Sequence, residues 1–149
     1  MKRIALISCT SQKNEVSKMS QVMAKELYTS SLFKKAWHYA KDILQVDEVY
    51  ILSAQHHLLN PQTYVSYYNV TLVGKKVDEL KKWSKIVKQQ MSDKFDLEKD
   101  TFYIFAGKNY HKYLIDADFK NVVYPYSGCK GIGYILQKLD YNITNKIII

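Results

Sequence analysis

Short apolar runs recur along this chain at intervals too long for hairpins, and that spacing constrains the fold more than any other feature. Arg3 to Ile7, Glu48 to Leu52, Thr101 to Ala106 and Asn121 to Tyr124 each open on a polar residue and continue apolar. Runs of this length without polar alternation read as strands buried on both faces. Helical spacing fills the intervals. Leu32, Phe33, Ala36, Trp37, Ala40, Ile43 and Leu44 share one helix face, with Thr29 or Ser30 placed to cap it. Lys75 to Met91 reads as a basic amphipathic helix with Val77, Leu80, Val87 and Met91 turned inward. A further helix is expected from about Tyr110 to Ile115, and a last one from the Gly128–Gly133 turn through Leu139. Strands alternating with helices predict an α/β fold: a single three-layer domain over residues 1–149, its mainly parallel sheet of about four strands flanked by helices.

Two segments fall outside this rhythm. Asn14 to Met23 is polar and reads as a mobile loop, and Ala54 to Leu72 is a long connection rich in Tyr and His. Long connections inside a compact domain tend to be functional. Ligands of open α/β sheets sit outside the strand carboxyl ends, where the strand order reverses. The topology therefore gathers Ser8 to Lys13, Ser53 to His57, Gly107 to Tyr110, and Tyr126 to Gly133 at one end of the sheet.

The side chains offered there are varied. His56 and His57 follow Ser53, and histidine titrates near neutrality, so acid–base work is one reading and a structural pair the other. Neighbouring residues diverge, so at most one of the two is expected to face a cleft. Cys9, at a strand-end turn, reads either as a nucleophile or as a packed, ligand-lining thiol, the second being favoured because no relay for it is visible. Lys13 is an anion contact or a solvated lysine. Tyr67 and Tyr68 beside Asn69 suit base stacking with an amide on the base edge, or equally a lid packed on the core. The turn around Gly128 and Gly131 can bring backbone close to phosphate, or simply turn a strand into a helix. It matches neither a Walker motif nor G-x-G-x-x-G.

Composition narrows the partner. The net charge of +8 suits an anionic partner such as nucleic acid or a nucleotide-like small molecule, while many of the lysines fall on helix faces where solvation alone accounts for them. The 13 tyrosines suit base stacking and strand or core packing alike. Two distant cysteines form neither a disulfide framework nor a zinc set, which fits a reducing, cytoplasmic setting. No cofactor or metal is indicated. The apolar run before Cys9 is too short for a signal peptide, and no segment approaches a membrane span.

Taken in order, the blocks Leu6–Lys13, Leu27–Phe33, Ile51–Pro61, Tyr67–Leu72 and Phe105–Tyr110 resemble a bacterial and phage family known only as a domain of unknown function. More distantly they are similar to the YaaA peroxide-stress proteins, a larger family. The YaaA resemblance implies an α/β fold and a DNA-binding role. The relatives often carry Ser-Ala-Lys-His-Gly-Leu where this chain reads Ser53-Ala54-Gln55-His56-His57-Leu58, and Tyr-Asp where it reads Tyr68-Asn69. Two functions are expected. One is a nucleobase or nucleoside N-glycosidase-like hydrolase, with Ser53, His56 and Asn69 as catalytic candidates. The other is a non-catalytic binder of nucleic acid or of a nucleotide signal. In either case Ser8, Cys9, Thr10, Lys13, Tyr28, Ser30, Tyr67, Tyr68, Gly107, Tyr110, Gly128 and Gly131 are the candidate ligand contacts.

Overall fold

The computed structural model describes all residues, 1–149. The apolar runs form the parallel heart of a sheet: β1 (Arg3–Ser8), β3 (Glu48–Ser53), β6 (Thr101–Phe105) and β7 (Asn121–Val123). Between them in sequence come the short strands β2 (Val22–Met23), β4 (His57–Leu59) and β5 (Tyr64–Val65). The large sheet has five strands rather than four, in the order β4-β3-β1-β6-β7, because β4 folds back antiparallel on β3. β1 lies at the centre, with Ile7 level with Ile51 on one side and Phe105 on the other. The order of the parallel strands reverses between β1 and β6, which makes the carboxyl ends of these two strands the switch point of the sheet.

Helices α1 (Ala24–Leu27), α2 (Ser31–His38), α3 (Val77–Lys94), α4 (Lys108–His111) and α5 (Ile132–Thr144) complete the chain. α2 packs on α5 and on β1, while α3 packs on α4 and β4, giving a layer on each face of the sheet. Ser30 caps α2, its hydroxyl accepting from the Phe33 N–H at 3.2 Å. The expected helix through Leu44 continues beyond His38 as a π-helical turn, Tyr39–Ile43. α3 begins and ends later than expected. Its buried stripe is Leu80, Trp83, Ser84, Val87 and Met91, while Val77, in the first turn, faces solvent. No helix is long and apolar enough to cross a membrane.

The two loops outside the rhythm are ordered by each other. Residues Glu15–Lys18 form a 3-10 turn, and β2 pairs antiparallel with β5. The Ala24 N–H donates to the Thr63 carbonyl at 2.8 Å, and the Tyr67 N–H to that of Ser17 at 3.1 Å.

The amino ends of the strands are tied by charge. Asp100 is buried and accepts from the backbone N–H of Lys2 (2.8 Å) and of Asp96 (2.9 Å). Asp47 accepts from the Arg3 N–H at 2.7 Å. The Arg3 guanidinium donates to the Leu44 carbonyl (2.7 Å) and the Tyr103 hydroxyl (3.2 Å). Tyr103 and Tyr39 donate in turn to the carbonyls of Ile149 and Ile147.

Candidate functional site

At the opposite end the groups are neutral. The β3 run ends at Ser53, which is fully buried. Its hydroxyl accepts the His56 N–H at 2.9 Å, closing the turn into β4, and meets the Tyr68 hydroxyl at 3.0 Å. Tyr68 also meets the Tyr28 hydroxyl at 2.5 Å, so three hydroxyls from three chain segments form one chain of hydrogen bonds. Beside it, the Cys9 sulfur lies 3.2 Å from the Tyr110 hydroxyl and accepts from the Ala54 N–H at 3.4 Å. That contact spans the switch point from β1 to the helix after β6. Trp83 supports both halves: its indole N–H donates to the Ser53 carbonyl at 2.9 Å, and Tyr110 meets its ring edge-on at 5.6 Å between centroids.

Burial pushes the hydroxyls of Tyr28, Tyr68 and Tyr110 above the usual phenol range. They are therefore protonated at neutral pH and serve as hydrogen-bonding groups rather than as bases. No carboxylate takes part in the cluster, and no imidazole hydrogen-bonds Cys9.

Lys13 introduces the charge. Its ammonium stands 4.7 Å from the centroid of the Tyr68 ring and 5.9 Å from that of Tyr67. Burial lowers its pKa from the usual lysine value, with Cys9 acting the other way. It forms no ion pair, and its one hydrogen bond reaches the Ser11 carbonyl at 3.4 Å. Next to it an open hollow of about 330 Å³ is lined by Ser11, Gln12, Lys13, Glu15, Thr29 and Tyr67. Tyr67 is 37% exposed, and a second lysine, Lys18, stands 4.9 Å from its ring centroid while pairing with Glu15.

A model describing a family of unknown function, DUF6884, matches residues 4–141, which takes in every segment of the cluster. The chain belongs to that family. It is also 30% identical, over 98% of both chains, to the uncharacterized protein YfjM of Bacillus subtilis (strain 168). No solved structure matches it.

The candidate residues separate into three groups. Cys9, Tyr28, Ser53, Tyr68 and Tyr110 form the buried cluster, with Lys13 and Tyr67 at its exposed edge. Thr10 and Ser30 are joined by a 3.0 Å hydrogen bond between β1 and the α2 cap, and Ser8 ends β1. The rest lie apart. Asn69 is exposed and makes no side-chain hydrogen bond. Gly107 is exposed at the start of α4. Gly128 and Gly131 occupy the exposed turn after β7, beyond β6, where Gly128 needs glycine for its φ of +80°. No three His, Cys, Asp or Glu side chains gather as metal ligands would.

The two histidines diverge as expected. His57 stacks on Trp83 (centroids 6.5 Å, 24° between planes), while His56 is exposed and meets Tyr68 edge-on at 5.3 Å. Burial lowers the pKa of both rings, and His57 lowers that of His56 further. His57 has φ of +62°, a left-handed conformation that glycine adopts most easily. Sequence reasoning missed Trp83 and Gln90, whose side-chain oxygen accepts the Leu58 N–H at 2.9 Å. The signal for Trp83 was its place three residues after Leu80 in the buried stripe.

Proposed function

We propose that the chain binds an anionic, nucleotide-like ligand at the carboxyl end of β1, with Lys13 meeting phosphate and Tyr67 stacking on the base. The supporting observation is Lys13 itself: a partly desolvated ammonium held over two aromatic rings, with no carboxylate partner, beside a hollow at the edge of the ligand-sized range. A cation in that setting gains from an anion that the protein does not provide. The buried hydroxyls of Tyr68, Tyr28 and Ser53 fix the ring under Lys13.

Binding accounts for this arrangement better than N-glycosidase chemistry. Cleaving a glycosidic bond calls for a group to activate water and stabilise positive charge. Glu15 is the one carboxylate lining the hollow, and it is held by Lys18. Thermal unfolding in the presence of a nucleoside monophosphate tests the proposal. The ligand is expected to raise Tm in the parent chain and to have no effect on Lys13→Ala or Tyr67→Ala. No shift with any nucleotide in the parent chain overturns it. Release of free base from nucleosides, DNA or RNA, detected by mass spectrometry, would restore the hydrolase.

A further inference from the structure

The hollow at Lys13 is one of four linked by shared lining residues. At Tyr67 it adjoins a hollow of about 400 Å³ beside Lys18 and Ser66. At Thr29 it adjoins one of about 440 Å³, floored by Phe33 and Trp37. That hollow shares Lys25 and Trp37 with a fourth, of about 350 Å³, which runs past Lys41 to Tyr50 and Pro61. Shared residues thus link the four in series as a trough that starts at the β1–α2 connection and reaches the first residues of β3 and the Asn60–Gln62 turn.

The charge along the trough is one-sided once internal pairs are removed. Five lysines line it (Lys13, Lys18, Lys25, Lys34 and Lys41), with three carboxylates, Glu15, Glu26 and Glu48. Glu15 is taken by Lys18, and Glu48 by Lys2 at 2.9 Å. Lys13, Lys25, Lys34 and Lys41 have no ion pair and face only Glu26. Aromatic rings punctuate the same path. Trp37 is half-buried and stacked on the buried Phe33, 25° between planes with centroids 6.2 Å apart, so its open face is held in place. Tyr67 presents a second ring farther along.

We infer that this trough, from Tyr67 past Thr29 to Trp37 and Tyr50, is a binding groove for single-stranded nucleic acid. Unpaired cations that follow a backbone, alternating with rings on which bases stack, are what a single strand requires. A duplex hides its base faces and has no use for Trp37. The inference rests on the ligand class proposed for Lys13, but Lys25, Lys34, Lys41 and Trp37 belong to the trough alone.

A fluorescent oligothymidylate of about 12 nucleotides, an oligouridylate and a duplex of equal length provide the test, read by anisotropy across a salt series. The single strands are expected to bind, to lose affinity steeply with salt, and to quench tryptophan emission, since Trp83 is buried under His57 and Trp37 is not. The double variant Lys25→Glu/Lys41→Glu, at a half-buried and an exposed position, is expected to weaken binding by about tenfold or more and to flatten the salt slope. The same variant should leave the Tm shift caused by a nucleoside monophosphate intact, which separates the trough from the Lys13 site. Stronger binding of the oligouridylate would identify the strand as RNA. A second basic area lies across the molecule, where Lys81 and Lys112 flank the Tyr113 ring, and Lys81→Glu/Lys112→Glu serves as the control. The inference is overturned if the duplex binds as tightly as the strands, if Lys25→Glu/Lys41→Glu binds like the parent, or if the control variant abolishes binding instead.

Discussion

The two ends of the sheet solve opposite problems. At the amino end, charged groups are satisfied by the chain: Asp100 takes two backbone N–H groups, Asp47 a third, and the Arg3 guanidinium is shared between a carbonyl and a phenol. At the carboxyl end, the buried groups are hydroxyls and a thiol, and Lys13 at their edge forms no ion pair, the nearby Glu15 being taken by Lys18. Charges neutralised internally hold a fold together, and a charge left without a partner at a strand-end hollow is available to something else. The amino end is thereby built as scaffold, and the carboxyl end is where we propose that the nucleotide-like ligand binds.

The largest effect is expected of Asp100→Ala. It leaves two N–H groups without their acceptor and is expected to cost about 2–3 kcal/mol in denaturant unfolding. Tyr68→Phe removes the hydroxyl between Tyr28 and Ser53 and is expected to cost less, about 1–2 kcal/mol. If Tyr68→Phe proves the more damaging, the carboxyl end is as much scaffold as the amino end. Smaller again is the comparison at the β3–β4 turn. His57→Gly is expected to be about 1 kcal/mol more stable than His57→Ala, because both lose the stacking on Trp83 but only Gly accepts the left-handed backbone without strain. Equal stabilities would mean that the turn carries no strain.

The smallest effect separates the two ends by pH. Burial lowers the pKa of His56, His57 and His111, so the unfolded chain takes up protons more readily than the folded one below its value of ~6.5. The stability this provides is present above ~6.5 and is lost as pH falls from there through the folded values. At the amino end burial alone would raise Asp100, but hydrogen bonds from Lys2 and Asp96 outweigh it and hold its pKa below the ordinary value. Its contribution is lost only at more acidic pH, as its carboxylate is protonated. Tm should therefore fall in two stages, and His57→Gln/His111→Gln should flatten the first while leaving the second.

Much of this architecture was readable because its signals are long. Four apolar runs located the four parallel strands, and the spacing of Phe33, Ala36 and Ala40 located α2. β4 and β5 were not readable: strands of three and two residues have no period, and their pairing depends on partners far along the chain. Val77 was misjudged because a first helical turn can satisfy the spacing before it reaches the sheet. At the site, the convergence of Cys9, Ser53 and Tyr110 followed from topology alone. That Tyr68 would point inward while Tyr67 and Asn69 remain exposed did not, since this depends on how the loop returns across β1. The amino-end network was missed entirely, because Asp47 and Asp100 look like ordinary surface acids until the register places backbone N–H groups against them.

That return also links the histories of two loops. β2 and β5 are paired residue for residue, and further bonds join Ala24 to Thr63, Lys25 to Pro61 and Tyr67 to Ser17. Neither loop can gain or lose a residue in this stretch without shifting the other out of alignment. Changes of length between Asn14 and Ala24 should thus be matched by changes between Asn60 and Tyr68 among related chains. A graft that transplants one loop without the other should dismantle the wall of the site.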